Sequence, residues 1–114
     1  MTEPVEASCH CGAVRMTLEA APETVTDCNC SICRRYGVLW AYYSPGAVRF
    51  HMPEGPTDRY QWGDHQIIFH RCRTCGCVTD WADVDPAYDR MGINARLLSP
   101  DVLAAARVLH LDRA

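Results

Sequence analysis

Three cysteines lie within six positions of the segment Thr26–Val38, in the spacing C-x-C-x-x-C. They are Cys28, Cys30 and Cys33, which we call the three-cysteine group. Thiolates bind zinc well, and a tetrahedral zinc ion takes four ligands. Three thiolates on one short turn therefore leave a position for water or for a substrate thiol, which zinc would hold as a nucleophilic thiolate at neutral pH. The spacing predicts a zinc site at which chemistry occurs.

The alternative is a second structural zinc site with a fourth ligand from elsewhere in the chain. Cys77 is the obvious candidate, because it is the one cysteine outside the clusters. Further candidates are His51, His65 and His70. We expect that Cys77 is not a ligand, because strand alternation would place it on the same apolar face as Trp81, where a small buried thiol fits.

Four more cysteines form two close pairs. Cys9 and Cys11 have the spacing C-x-C, and Cys72 and Cys75 have the spacing C-x-x-C followed by Gly76, which permits a tight turn. We call them the four-cysteine group. Four thiolates complete a tetrahedron, so this group predicts a structural zinc site without an open position, tying the first strand to a strand about sixty residues later. The alternative is that one pair is simply buried cysteine.

Eight cysteines in 114 residues also permit four disulfides in a secreted chain. Residues 1–6 contain neither a basic region nor an apolar segment of the kind that signal peptides have. Because a cytoplasmic protein is then the expectation, the clustered cysteines are interpreted as metal ligands.

Arg34 and Arg35 directly follow Cys33. A guanidinium group there could balance the net charge of −1 on a zinc ion with three thiolates, or hold a substrate carboxylate by two hydrogen bonds. We take Arg34 as the candidate catalytic partner of the three-cysteine group, with an exposed surface cation as the alternative.

Five aromatic residues are predicted to pack in the core and at its edges rather than in a cleft, namely Trp40, Tyr42, Tyr43, Trp62 and Trp81. Three acids are predicted to be solvated turn residues, namely Asp80, Asp83 and Asp85.

The composition sets limits on the class of protein. With 114 residues, the chain is expected to form one domain over residues 1–114, and 48% hydrophobic residues argue against disorder. The sequence contains no run of 18 apolar residues, so we expect no transmembrane helix. The net charge is −3, lysine is absent and no basic patch occurs, so we expect no nucleic-acid partner.

Short alternating segments must position these cysteines. In one of them, Val14, Met16 and Leu18 face one way, which predicts a half-buried strand. A helical turn is expected after Ser31, ending at Gly37. A loop is predicted over residues 52–56 and a hairpin over residues 58–71. A strand is predicted over 90–98, with Met91, Ile93, Ala95 and Leu97 on one face. A helix capped by Ser99, with Pro100 at its first position, is expected to follow, and residues 107–111 either extend it or form a last strand. About eight short strands with little helix indicate an all-β fold.

Four blocks of the sequence together resemble the glutathione-dependent formaldehyde-activating enzyme family, which also includes centromere protein V. The blocks are Cys9–Val14, Cys28–Arg35, Phe69–Gly76 and Asn94–Leu98. The resemblance implies a zinc-stabilised β-tent fold of short antiparallel strands. It implies a structural zinc ion on the four-cysteine group and a second, catalytic zinc ion on the three-cysteine group.

The activity implied by the resemblance is of the carbon–sulfur lyase type, joining glutathione and formaldehyde into S-hydroxymethylglutathione and reversing that step. The sequence therefore predicts an enzyme that binds a small thiol, such as glutathione, at an open zinc position. The competing hypothesis is a zinc-stabilised binding module without catalysis.

Overall fold

The computed structural model describes residues 3–52 and 56–113, so the loop predicted over 52–56 lies mostly outside the described residues. Strands dominate, as predicted, and only two short α-helices occur in the described part. The strands are β1 Val5–Ser8, β2 Arg15–Leu18, β3 Thr24–Cys28, β4 Trp40–Tyr43, β5 Val48–His51, β6 Thr57–Tyr60, β7 Ile67–Cys72, β8 Val78–Asp83, β9 Met91–Asn94 and β10 Arg107–Leu111. The helices are α1 Cys33–Tyr36 and α2 Pro100–Ala105. The all-β prediction is confirmed.

The strands form two sheets. The smaller has the order β1-β2-β5, and the larger has the order β10-β3-β4-β9-β8-β7-β6. Every pairing between described strands is antiparallel except that of β10 with β3, which is parallel. The sequence did not indicate this parallel pair. In its register Leu111 lies opposite Cys28, so β10 ends beside the three-cysteine group.

The main core is built from the apolar faces that the alternation predicted. Val14, Met16 and Leu18 have no exposed surface, and they pack with Val25 and Ile93 from the larger sheet. Burial of apolar surface is the main stabilising term here, at roughly 25 cal/mol per Å². The core therefore holds the two sheets together and fixes the turns that carry the cysteines.

The strand predicted over 90–98 is shorter than expected. β9 ends at Asn94, and Ala95–Leu97 forms a 3₁₀ turn. The Asn94 side chain accepts a hydrogen bond from the Arg96 N–H at 3.1 Å and donates to the Val78 carbonyl at 2.8 Å. A side chain that bonds to the local backbone competes with the strand ladder. Leu97 consequently packs against the core from a turn, not from the strand face of Met91.

The last two elements agree better with prediction. The Ser99 hydroxyl caps α2 by accepting from the Val102 N–H, and Pro100 occupies the first helical position. Of the two alternatives for residues 107–111, the strand is the one that forms. Within the described residues, neither helix has the length and apolar character needed to cross a membrane.

Candidate metal centres and an adjoining cleft

The four-cysteine group assembles as predicted. The sulfur atoms of Cys9, Cys11, Cys72 and Cys75 all lie within 4.8 Å of one another. The Cys9 and Cys11 sulfurs are 3.7 Å apart, and those of Cys11 and Cys72 are 3.6 Å apart. A tetrahedral zinc ion with bonds of about 2.3 Å requires about 3.8 Å between its sulfur ligands. The group can therefore hold a metal ion, and the donor set fits zinc.

Two tight turns present these sulfurs. Cys9 and Cys11 lie between β1 and β2, where the Val14 N–H donates to the Cys9 sulfur at 3.3 Å. Cys72 ends β7, and Gly76 takes a left-handed conformation (φ 80°) that lets its N–H bond the Cys72 carbonyl at 2.9 Å. The first turn belongs to the smaller sheet and the second to the larger sheet. A metal ion in this group would thus link the two sheets.

Backbone amides favour the thiolate forms of Cys72 and Cys75 in this group. At Cys11 the Ala13 backbone also favours the thiolate, but burial and the neighbouring thiols outweigh it and raise the pKa to about 11. Partial burial opposes the charged form of Cys75, but the N–H groups of Cys77 and Cys11 donate to its sulfur and lower its pKa to about 5. Metal binding requires deprotonated sulfur. The turn therefore favours the form of Cys75 that could bind a metal ion.

The three-cysteine group also assembles, with its sulfurs within 4.8 Å of one another. Cys28 ends β3 and Cys33 begins α1, which closes at Gly37 in a left-handed conformation (φ 67°), as predicted. The Cys33 N–H donates to the Cys30 sulfur at 3.4 Å, and the Trp40 indole N–H donates to the Cys33 sulfur at 3.3 Å. These three thiols can hold a metal ion.

The members of this group differ in acidity. Burial raises the pKa of Cys33 to about 12, although the Trp40 hydrogen bond opposes the rise. For Cys30, burial also disfavours the charged form, but hydrogen bonds from the backbone and thiol of Cys33 outweigh it and lower the pKa. Cys30 therefore loses its proton before Cys33 in the metal-free protein.

No fourth ligand accompanies the three-cysteine group in the part of the chain that the structure describes. Two of the histidine candidates are engaged elsewhere. His51 bonds the Thr17 hydroxyl at 2.8 Å, and His70 bonds the Asp80 carboxylate at 2.9 Å.

Asp80 is itself buried, so its predicted position as a solvated turn acid is wrong. Asp83 and Asp85 do accept hydrogen bonds within their turn, as predicted.

Cys77 belongs to neither group among the described residues, and its apolar surroundings are as predicted, but the face that it was predicted to share with Trp81 is wrong. It packs against the main core, while Trp81 belongs to a second cluster with Trp40 and Phe69. The reason is a bulge in β8 at Thr79, which breaks the alternation assumed between positions 77 and 81. The His10 backbone favours the Cys77 thiolate, but burial and the Cys75 sulfur raise its pKa.

A cleft of about 480 Å³ opens beside the three-cysteine group. Its floor includes all three cysteines, and its walls are mostly apolar. The other lining residues are Ile32, Trp40, Tyr42, Trp62, Gly63, Asp64, Ile67, Phe69, Trp81, Leu111 and Arg113. Four of the five aromatic residues predicted to pack in the core also line this cleft, and of these Trp40 and Trp81 are buried in a core cluster as predicted. The exception is Tyr43, whose hydroxyl donates to the Ala20 carbonyl.

Two contributors to the cleft were missed from the sequence. Gly92 lies opposite Trp81 in the sheet, and a methyl group on it would overlap the Trp81 indole. A glycine inside a strand can indicate such a close approach. Arg113 reaches the cleft only because β10 pairs with β3, which no local pattern indicated.

The predicted arginines lie elsewhere. Arg34 and Arg35 are exposed on α1, and neither is among the residues that line the cleft. The Arg35 guanidinium donates to the Ser31 carbonyl at 2.7 Å, one helical turn back. A catalytic role for Arg34 therefore stays a prediction.

Known proteins resemble this chain in both sequence and fold. The family model described as glutathione-dependent formaldehyde-activating enzyme matches residues 4–105. The fold is also similar to the crystal structure of a Rhodobacter sphaeroides protein, with a TM-score of 0.73 and 27% identity. That similarity covers 91% of this chain and 99% of the other.

Proposed function

The chain belongs to the glutathione-dependent formaldehyde-activating enzyme family, and from that premise we propose that it joins a small thiol to an aldehyde such as formaldehyde and reverses the step. The observation that supports this proposal is the contrast between the two cysteine groups. One has the four ligands that fill a tetrahedron, and the other has three ligands at the floor of an aromatic cleft. Only the second leaves a position at which a substrate thiol could bind.

We propose that zinc is the metal in both groups, because an all-thiolate donor set suits it. Cys28, Cys30 and Cys33 would hold the catalytic ion, and the four-cysteine group would hold the structural ion. When bound, the catalytic ion supplies an open position that lowers the pKa of a substrate thiol. A cytoplasmic location fits eight free cysteines, since that compartment keeps thiols reduced.

The reaction needs no oxidant or reductant. The thiol sulfur gives an electron pair to the aldehyde carbon, a carbon–sulfur bond forms, and the carbonyl oxygen takes up the proton that the thiol released. The chain's own contribution is to hold and shield the reactants. The Trp40 indole N–H donates to the Cys33 sulfur and would stabilise its thiolate form when a metal is bound, while the aromatic walls would exclude water from one side of the substrate. We propose that Arg34 adds positive charge near the group.

The test is a calorimetric titration of the metal-loaded protein with small thiols, glutathione among them. We expect binding with a 1:1 stoichiometry that disappears in Cys30→Ser, a variant that keeps the four-cysteine group intact. The same protein substituted with Co²⁺ should change its absorption spectrum when the thiol joins the metal. If no thiol binds and the spectrum is unchanged, the non-catalytic binding module becomes the better interpretation.

A further inference from the structure

The cleft beside the three-cysteine group has one wall that comes from β10. Parallel pairing places Leu111 opposite Cys28, at the strand spacing of about 4.8 Å. Arg113 lies two positions further on, and both residues line the cleft. The wall thus sets an apolar side chain next to a metal ligand and a guanidinium just beyond it.

Asn29 holds this wall in place. It lies between Cys28 and Cys30, and its backbone N–H donates to the Leu111 carbonyl at 3.1 Å. Its side-chain amide donates to the Asp112 carboxylate at 3.0 Å, and its side-chain oxygen accepts from the Arg113 N–H at 2.6 Å. Three hydrogen bonds therefore connect the metal-binding turn to the segment that carries Arg113, so the position of that backbone relative to the three sulfurs is fixed.

Charge is distributed unevenly around the cleft. Arg113 lines one wall, and Asp64 lines the wall formed by the turn between β6 and β7. A smaller depression adjoins the Arg113 side and shares Tyr42 and Trp81 with the cleft. Arg90 also lines this depression, with its guanidinium 4.0 Å from the centre of the Tyr42 ring. An anionic group would be repelled from Asp64 and attracted to the end where the two arginines lie.

The space between the sulfurs and the charged ends is apolar. Ile67, Phe69 and Trp81 form much of it, and Trp62 is 46% exposed at the rim. Aromatic walls favour a flat or apolar ligand body, because stacking and burial both stabilise it. A polar tripeptide such as glutathione would leave much of this surface without a matching group.

We propose that the substrate is a thiol with an aromatic or compact apolar body and a carboxylate, which Arg113 binds through charge-assisted hydrogen bonds. This inference rests on the proposed function, since the thiol is taken to bind at the three-cysteine group. The body lies between the aromatic walls, and the carboxylate is directed away from Asp64. Arg113 is thus a specificity-determining residue of the site.

The test uses calorimetry on the zinc-loaded full chain with four probes. They are 4-(mercaptomethyl)benzoate, phenylmethanethiol, mercaptoacetate and glutathione. We expect the aromatic carboxylate to bind most tightly. Arg113→Gln should weaken it about tenfold, the effect of losing one charge-assisted hydrogen bond of about 1.4 kcal/mol, and should leave phenylmethanethiol unchanged. Arg107→Gln is the matched control, because Arg107 is exposed at the start of β10, the strand that precedes Arg113, and lines neither the cleft nor the depression.

The outcomes separate the two proposals. If glutathione binds at least as tightly as the aromatic carboxylate, or if Arg113→Gln has no more effect than Arg107→Gln, this inference is wrong while the proposed function stands. If none of the four thiols binds the loaded protein, the proposed function fails and this inference fails with it.

Discussion

The two cysteine groups place the same side chain in different parts of the fold. The four-cysteine group draws its ligands from turns 61 residues apart in sequence, in two different sheets. The three-cysteine group takes all its ligands from six consecutive positions at the end of one strand. A metal ion in the first group closes a long loop and links two parts of the fold, whereas one in the second closes only a short turn.

The surroundings differ in the same sense. Cys9 and Cys72 pack into the main apolar core, next to side chains with no exposed surface. Cys28 and Cys33 belong instead to an aromatic cluster that borders a cleft. Sequence separation and neighbours together therefore support the proposal that the first group stabilises the fold and that the second binds a ligand.

The largest effect that this comparison predicts is on stability at the four-cysteine group. Cys72→Ser should destabilise the protein by at least about 4 kcal/mol, a loss typical of removing a structural metal. The melting temperature should fall by roughly 15 °C or more. Differential scanning calorimetry of the zinc-loaded proteins measures this, with Cys77→Ala as the control because Cys77 belongs to neither group. Equal small losses in the two variants would contradict a structural role.

A smaller loss of stability is expected at the three-cysteine group. Cys28→Ser should remove one of two bound zinc ions, as counted by native mass spectrometry, and cost less than about 2 kcal/mol because only a short loop is released. Thiol binding should be lost entirely. A fall in melting temperature as large as that of Cys72→Ser would show that both groups are structural.

Gly92 permits a test of the cleft alone. In Gly92→Ala the new methyl group would overlap the Trp81 indole, so the ring must move, at a cost of about 1–3 kcal/mol. Tryptophan fluorescence should shift and thiol affinity should fall, while the zinc content stays at that of the unmodified protein. Gly46→Ala is the matched control, because a Cβ at position 46 meets no atom within 4 Å. Unchanged thiol binding in Gly92→Ala would show that Trp81 does not contribute to the thiol-binding site.

The sequence predicted those features that depend on local spacing. The cysteine spacing within each turn, the capped helix at Ser99 and the buried face of β2 all follow from residues one to four positions apart. They could be predicted because each rests on a turn, a cap or an alternation that short segments determine by themselves.

Features that depend on tertiary pairing were not predicted. Trp40 and Trp81 were correctly assigned to the core, but their second role as cleft walls was missed, because their pattern does not distinguish a buried face from the wall of a cleft. The parallel pairing of β10 brings Arg113 to the site, and the bulge at Thr79 moves Cys77 away from Trp81. These depend on how distant strands align, which local pattern does not record.

The smallest expected effect concerns Arg34, the arginine that sequence proximity favoured. It is exposed on α1, so its charge acts on the three-cysteine group through solvent, and exposed charges contribute less than about 1 kcal/mol. Arg34→Gln should therefore weaken binding of 4-(mercaptomethyl)benzoate by less than about fivefold. At 0.5 M salt, where screening acts within a few ångströms, that effect should vanish while the effect of Arg113→Gln persists. Calorimetric titrations at low and high salt measure both. A salt-resistant loss of tenfold or more in Arg34→Gln would show instead that Arg34 contacts the bound thiol.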